Sequence, residues 1–305
     1  MTHTDNIITV NSLTKNYGKN CVINNVTFSV RRGEIYALVG KNGAGKTTVM
    51  KMLTGLIPEN GGMISLFNET RSDRLVCCRG KIGALIEAPA FYPYMSAYDN
   101  LNYYRIQRGI KDKDSIDRIL RTVGLENTGK KKFRHFSLGM KQRLGLALAL
   151  LGEPELLILD EPINGLDPEG IIEVREILKR LNREKGVTIL ISSHILSELS
   201  LLADKFAFIN RGRIIDETGI DEIKRSAGNE TILRVDDIGR TTQLLSEKFP
   251  DVVWEIRNED IIISSGYNDG IVPELTGNHI VIRGISTVSV SLEDYYIRLL
   301  KDDAL

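Results

Sequence analysis

Apolar and polar positions divide this chain into blocks of different period. Ile7 to Val10 and then Val22 to Val30 read as two or three short, half-buried strands, with Ile23, Val26, Phe28 and Val30 supplying the apolar positions. The segment Glu34-Ile35-Tyr36-Ala37-Leu38-Val39 is short and almost wholly apolar, as in a strand covered on both faces. Thr48 to Leu53 opens a helix that ends near Gly55 and Pro58, and the turn Asn60-Gly61-Gly62 leads to a strand from Met63 to Phe67. Residues 96 to 150 read as mainly helical. Leu101, Tyr104 and Ile106 fall in one helix, Ile116, Ile119, Leu120 and Val123 in the next, and Leu144 to Leu150 in a third. Two apolar strands follow, Leu156 to Leu159 and Val187 to Ile191, with the helix Gly170 to Glu184 between them. Strand, helix and strand in this order predict an α/β fold with a parallel sheet.

The texture changes beyond residue 222. Asp221-Glu222-Ile223-Lys224-Arg225 reads as a charged connector. Strands are expected at Thr231 to Val235, Val252 to Ile256, Ile261 to Ser264 and His279 to Ile282, with a helix at Thr241 to Phe249 between the first two and a last segment from Leu292 to Lys301. Residues 223–305 therefore read as a small α+β appendage without chemistry of its own. His279 is expected to be an ordinary strand residue, because no second His, Cys or acidic cluster accompanies it.

The 305 residues suffice for one large domain and a small one. Forty basic and 40 acidic residues cancel, which leaves no field to draw the chain to nucleic acid or anionic lipid. No apolar run approaches the roughly 20 residues that cross a bilayer, so no direct membrane insertion is expected. Residues Met1 to Asn6 lack the basic and apolar blocks of a secretory signal, which predicts a cytoplasmic protein. The three cysteines, Cys21, Cys77 and Cys78, form neither a disulfide set nor a zinc pattern. They are expected to be buried thiols in a reducing compartment, with redox chemistry at the vicinal pair as the alternative.

The richest local chemistry is Gly40-Lys41-Asn42-Gly43-Ala44-Gly45-Lys46-Thr47, between the apolar strand and the helix that includes Thr48. It matches G-x-x-x-x-G-K-[ST]. Gly40, Gly43 and Gly45 let the backbone curl so that successive N–H groups converge on one anion. The helix N-terminus adds partial positive charge, Lys46 adds a full one, and the Thr47 hydroxyl can ligate Mg²⁺. A glycine-rich strand–helix turn also occurs for packing alone, but this context points to a nucleoside triphosphate.

Leu156-Leu157-Ile158-Leu159-Asp160-Glu161 delivers two acids to the C-terminal edge of a buried strand, where ligands of open α/β sheets bind. Asp160 can hold Mg²⁺ through its water shell, and Glu161 can orient and deprotonate an attacking water. The alternative, a pair of solvated carboxylates, leaves their position unexplained.

Between these motifs lies Phe136-Ser137-Leu138-Gly139-Met140-Lys141-Gln142-Arg143, which resembles the L-S-G-G-Q signature of ABC ATPases. Ser137 and Gly139 match, whereas Leu138 and Met140 depart from the pattern. A Ser hydroxyl and Gly N–H groups at a helix start form a second anion site, and Ser137 would cap that helix. Further features stand in the family's order. Ile163-Asn164-Gly165-Leu166-Asp167 resembles the D-loop, and His194, after Ile191-Ser192-Ser193, resembles the switch histidine that touches the γ-phosphate. Tyr17, in Asn16-Tyr17-Gly18, resembles the aromatic residue that stacks on adenine; the alternative is a surface tyrosine in a turn.

The resemblance covers residues 5 to about 222. It implies a P-loop NTPase core of the ABC type in residues 1–222, with an antiparallel β subdomain, a helical subdomain over about residues 88–150, and ATP and Mg²⁺ as cofactors. Thr47, Asp160 and Glu87 are the implied Mg²⁺ contacts, partly through water. Glu87 stands where the family usually carries glutamine; it keeps an oxygen for Mg²⁺ but adds a charge and loses an amide donor. That acid, the form of the signature and the C-terminal appendage together resemble the ATP-binding subunits of bacitracin- and lantibiotic-type peptide exporters. A second copy of the chain and a membrane permease are the implied partners, which would hold the protein at the inner face of the cell membrane. The aromatic cluster Phe91, Tyr92 and Tyr94 reads either as the permease contact or as packing within the helical subdomain.

Three other readings compete. An ABC ATPase of ribosomes or DNA commonly joins two nucleotide domains or inserts a coiled-coil arm, and neither is seen. A GTPase would carry N-K-x-D, which is absent, and neither a GTPase nor a small-molecule kinase explains Ser137 to Gln142. Intact Glu161 and His194 argue against a nucleotide sensor without turnover.

Overall fold

The computed structural model describes residues 5–87, 90–226, 229–265, 267–289 and 291–303. The chain divides into two compact units, Met1–Gly219 and Ile220–Leu305.

The first unit begins with β1 (Asn6–Tyr17) and β2 (Asn20–Arg31), an antiparallel pair 12 residues long in each strand. Register shifts within β1 interrupt its alternation, so the sequence reads as shorter pieces than the two long strands that form. Then come β3 (Ile35–Val39), α1 (Lys46–Leu53), β4 (Gly61–Leu66), α2 (Ser72–Arg79) and β5 (Ile82–Leu85). Three helices follow, α3 (Ala97–Gln107), α4 (Ser115–Thr122) and α5 (Leu138–Leu150). The unit continues with β6 (Leu156–Asp160), α6 (Pro168–Lys185), β7 (Thr188–Ser193), α7 (Leu196–Ser200), β8 (Lys205–Asn210) and β9 (Arg213–Gly219).

Two sheets result. One is antiparallel in the order β2-β1-β4; the other runs β5-β6-β7-β3-β8-β9, parallel except for β9. Every residue of β3 and β7 is buried, as are the first four of β6, which is why β3 and β6 carry unbroken apolar runs and β7 carries Ile189 to Ile191. Parallel pairing aligns their C-terminal ends: Val39 sits opposite Ser193, and Asp160 opposite Ser192. That alignment brings the glycine loop, the two acids and the histidine to one edge of the sheet.

The helical segment is inserted between β5 and β6. Its α3 starts with a reciprocal cap, in which Ser96 accepts from Asp99 N and Asp99 accepts from Ser96 N. α5 lies so close to β5 that a Cβ on Gly83 would stand 2.1 Å from the Ala149 carbonyl oxygen. α6 runs from an Asp167 cap with Pro168 in its first turn to Gly186 in the left-handed conformation.

The second unit comprises α8 (Ile220–Ser226), β10 (Asn229–Val235), α9 (Ile238–Lys248), β11 (Val253–Arg257), β12 (Asp260–Ser265), α10 (Ile271–Gly277), β13 (Ile282–Ser289) and α11 (Leu292–Asp302). Its sheet is antiparallel in the order β11-β12-β10-β13. Leu233, Leu245, Ile261, Ile263, Ile271 and Leu275 are buried in its core.

Three expectations change. His279 is not in a strand: it follows α10 with φ +60 in a turn, and the last strand begins at Ile282. Cys21 and Cys77 are exposed and Cys78 is half-buried, because Cys21 starts the hairpin strand β2 and the other two lie on the short α2, of which only Leu75 is buried. The strands β8 and β9 complete the large sheet without having been marked in the sequence. Ala88 and Pro89, where the helical subdomain was expected to begin, and residues 1–4 of the N-terminus lie outside the described residues.

Candidate functional site

The glycine loop leaves β3 and enters α1. A Cβ on Gly40 would stand 2.5 Å from the Ile209 carbonyl oxygen, so the loop hugs β8 too closely for any side chain. Gly43 and Gly45 have φ of +83 and +113, where L side chains are strained. Lys41, Asn42 and Gly43 are exposed, whereas Ala44 is buried and Thr48 half-buried. Gly45 caps α1 with no side chain, so the first-turn N–H groups face an incoming anion without a built-in acceptor. The Lys46 side chain is buried and curls back over the loop, donating to Gly40 O at 2.6 Å.

The acids stand opposite. Asp160, the last residue of β6, accepts from the Thr47 hydroxyl at 2.7 Å on Oδ2 and from the Ser192 hydroxyl at 2.6 Å on Oδ1. Glu161 follows with φ +49, a left-handed conformation uncommon outside glycine. Its N–H donates to both the carbonyl and the hydroxyl oxygens of Ser192, each at 3.1 Å, and these contacts hold the strained backbone. The Glu161 carboxylate lies between two partners. Oε1 is 3.1 Å from Lys46 Nζ, an ion pair without hydrogen-bond alignment, and Oε2 is 2.8 Å from His194 Nδ1. Lys46, Thr47, Asp160, Glu161 and His194 thus form one cluster.

Ser192 belongs to that cluster and was passed over as a functional residue. It is fully buried, and its hydroxyl links the two acids. The available signal was its position at the end of an apolar strand, two residues before His194.

Glu87 follows β5 with φ +59 and lines a cleft of about 300 Å³ that also includes Phe91, Lys141, Gln142, Asp160 and Glu161. Its carboxylate accepts from Lys51 Nζ at 2.5 Å rather than joining Thr47 and Asp160. That hydrogen bond holds the Lys51 ammonium above the ordinary lysine range.

Tyr17 ends β1 half-exposed, with Lys15 Nζ 5.3 Å from its ring centroid; Lys15 is itself buried and donates to Pro58 O. Ser137 caps α5, accepting from Met140 N at 3.2 Å. Together with Gly139 it faces a cleft of about 420 Å³, which includes Gly165, Leu166 and Asp167 and adjoins the acid-lined cleft at Leu138. Within one chain these residues do not join the lysine–acid cluster.

The aromatic cluster divides. Phe91 is buried, packed against Tyr104 and Phe133 at ring-centroid distances of 6.1 and 5.1 Å. For Phe91 the structure therefore favours packing within the helical segment over a permease contact. Tyr92 and Tyr94 remain exposed, at 42% and 70%.

An all-oxygen pair, the Thr47 hydroxyl and the Asp160 carboxylate, fits Mg²⁺, which takes one or two protein ligands and fills its remaining positions with water and phosphate. Among the described residues no cluster of three or more His, Cys, Asp or Glu could hold a metal unaided. Among the same residues no helix is long and apolar enough to cross a membrane.

Comparison with known proteins agrees with this geometry. The family model for ABC transporters matches residues 23–164. The bacitracin transport ATP-binding protein BcrA of Enterococcus faecalis is 38% identical over 96% of this chain and 96% of its own. The lantibiotic transport ATP-binding protein SrtF of Streptococcus pyogenes is 47% identical over 70% of this chain and 92% of its own. A solved ATP-binding subunit of an ABC transporter superposes with a TM-score of 0.64 at 34% identity, over 72% of this chain and 92% of that one. This chain belongs to the ATP-binding subunits of ABC transporters, and it is an ATPase.

Proposed function

We propose that this chain hydrolyses ATP at a composite site of a homodimer and powers a separate membrane permease that exports an antimicrobial peptide or drug. The observation that carries the hydrolytic part is the placement of Glu161 between Lys46 and His194 at the end of a buried strand. A carboxylate there can take a proton from water as it attacks the γ-phosphate, while Lys46 and the first-turn N–H groups of α1 balance the charge of the phosphates. His194 orients the carboxylate. Mg²⁺, held by Thr47 and Asp160 with Glu87 at the cleft, would offset charge on the phosphate oxygens. Tyr17 supplies a ring face to adenine.

Ser137 and Gly139 line a cleft that includes none of Lys46, Thr47, Asp160, Glu161 and His194, which supports the dimer. A second copy would bring that α5 N-terminus to the phosphate it cannot reach in its own chain. The exposed Tyr92 and Tyr94 offer the contact to a permease, which would keep the chain at the inner face of the membrane without a span of its own. The bacitracin and lantibiotic transport names of the relatives support a peptide cargo.

The test is a survival assay. The chain is expressed with its permease in a bacterium sensitive to bacitracin and to a lantibiotic. Resistance should appear with the native chain and vanish with Lys46→Ala. Equal survival with both chains overturns the export reading.

A further inference from the structure

Lys51 lies on α1 four residues after Thr47, so the two side chains share one face of the helix, roughly one turn or about 6 Å apart along the axis. Thr47 donates to Asp160, and Lys51 donates to Glu87. The same helix face therefore carries both acids, one turn apart. Glu87, Asp160 and Glu161 line a single cleft, with Lys141 on its wall. A polyanionic nucleotide on the phosphate loop, whose Lys46 and Thr47 contact Glu161 and Asp160, would present its terminal phosphate to this group of three carboxylates. Lys46 faces Glu161, and the Thr47 hydroxyl meets Asp160 but brings no charge, so the negative charge at Glu87 falls to Lys51. Glu87 holds a left-handed backbone, unusual for a non-glycine residue, at the point where its carboxylate meets Lys51 of α1.

We propose that Lys51 is the positioning residue of Glu87: it holds the Glu87 carboxylate at the mouth of the cleft and neutralises it, so that an acid can stand beside the γ-phosphate of ATP. The inference rests on the reading of Glu87 as a residue of the nucleotide site. Its consequence is selective. ATP carries the γ-phosphate that an uncompensated Glu87 would repel, and ADP lacks it. Loss of Lys51 should therefore weaken ATP more than ADP, and only while Glu87 is an acid.

The test uses the full chain as native protein, Lys51→Met, Glu87→Gln, the double variant and Lys51→Arg. Affinities for fluorescent ATP and ADP analogues are measured in EDTA and in Mg²⁺, beside steady-state turnover. Lys51→Met should weaken ATP relative to ADP about five- to tenfold, and less than about twofold when Glu87→Gln is also present. Lys51→Arg should keep the native ratio. An equal loss in both backgrounds means that Lys51 serves α1 alone and overturns the proposal, as does an unchanged ATP-to-ADP ratio. If Glu87→Gln by itself alters neither affinity nor Mg²⁺ dependence, the reading of Glu87 falls with it. If Glu87→Gln alters them while Lys51→Met acts independently, only the assignment of Lys51 falls.

Discussion

His194 Nδ1 and Glu161 Oε2 lie 2.8 Å apart, across the ends of two adjacent parallel strands. Neither residue is near the other in sequence. The register that sets Asp160 opposite Ser192 brings them together, and the strained Glu161 backbone turns the carboxylate out of the strand toward Lys46 and His194. The acid is held before any substrate arrives, which is the preorganisation that charge-developing reactions require.

Ser192 tests how that acid is supported. Its buried hydroxyl donates to Asp160 Oδ1 and accepts from Glu161 N. Ser192→Ala should cost about 1–3 kcal/mol of stability, since it removes a buried partner of a carboxylate. Turnover should fall more than ATP affinity, because the phosphate loop keeps its own contacts. Denaturant unfolding beside an ATPase assay checks both; unchanged turnover would show that Glu161 is positioned without the Ser192 hydroxyl.

The two kinds of aromatic residue in the helical segment should separate in experiment. Phe91→Ala empties a buried site among Tyr104 and Phe133 and should cost about 3–5 kcal/mol. Replacing both Tyr92 and Tyr94 by Ala should leave stability within about 1 kcal/mol and ATP binding intact. The same double variant should lose co-purification with the permease. If it stays bound and transports normally, the contact lies elsewhere on the chain.

Much of this site was legible because its determinants are local. The glycine loop needs its glycines next to Lys46 and Thr47, and an apolar strand followed by two acids announces its own edge. Ser192 was not legible, because its role depends on the register between β6 and β7, and that register brings together residues about thirty positions apart. Phe91 stayed open between packing and contact for a similar reason: its burial is decided by Tyr104 and Phe133, which a loop pattern does not reveal. The Lys51–Glu87 pair likewise joins a helix to the end of a separate strand. The strand β8 was missed although Phe206, Ala207, Phe208 and Ile209 form an apolar run that a period-based reading can find.

The composite site predicts complementation. Ser137→Arg disables the signature end and Lys46→Ala the phosphate loop, so each homodimer should be inactive. Mixing the two chains should restore one intact site per heterodimer, giving roughly a quarter of native turnover if exchange is random. No recovery in a mixture shown to contain heterodimers would contradict a site shared between two copies.

If Glu161 takes the proton of the attacking water, single-turnover hydrolysis by Glu161→Gln isolates that step. The amide keeps the size of the side chain and can remain near His194, but it cannot accept that proton. The variant should bind ATP as the native chain does, accumulate an ATP-bound dimer, and hydrolyse its bound ATP about 10²–10⁴-fold more slowly. Hydrolysis at near the native rate, with ATP binding intact, would contradict the assignment of Glu161 as the base.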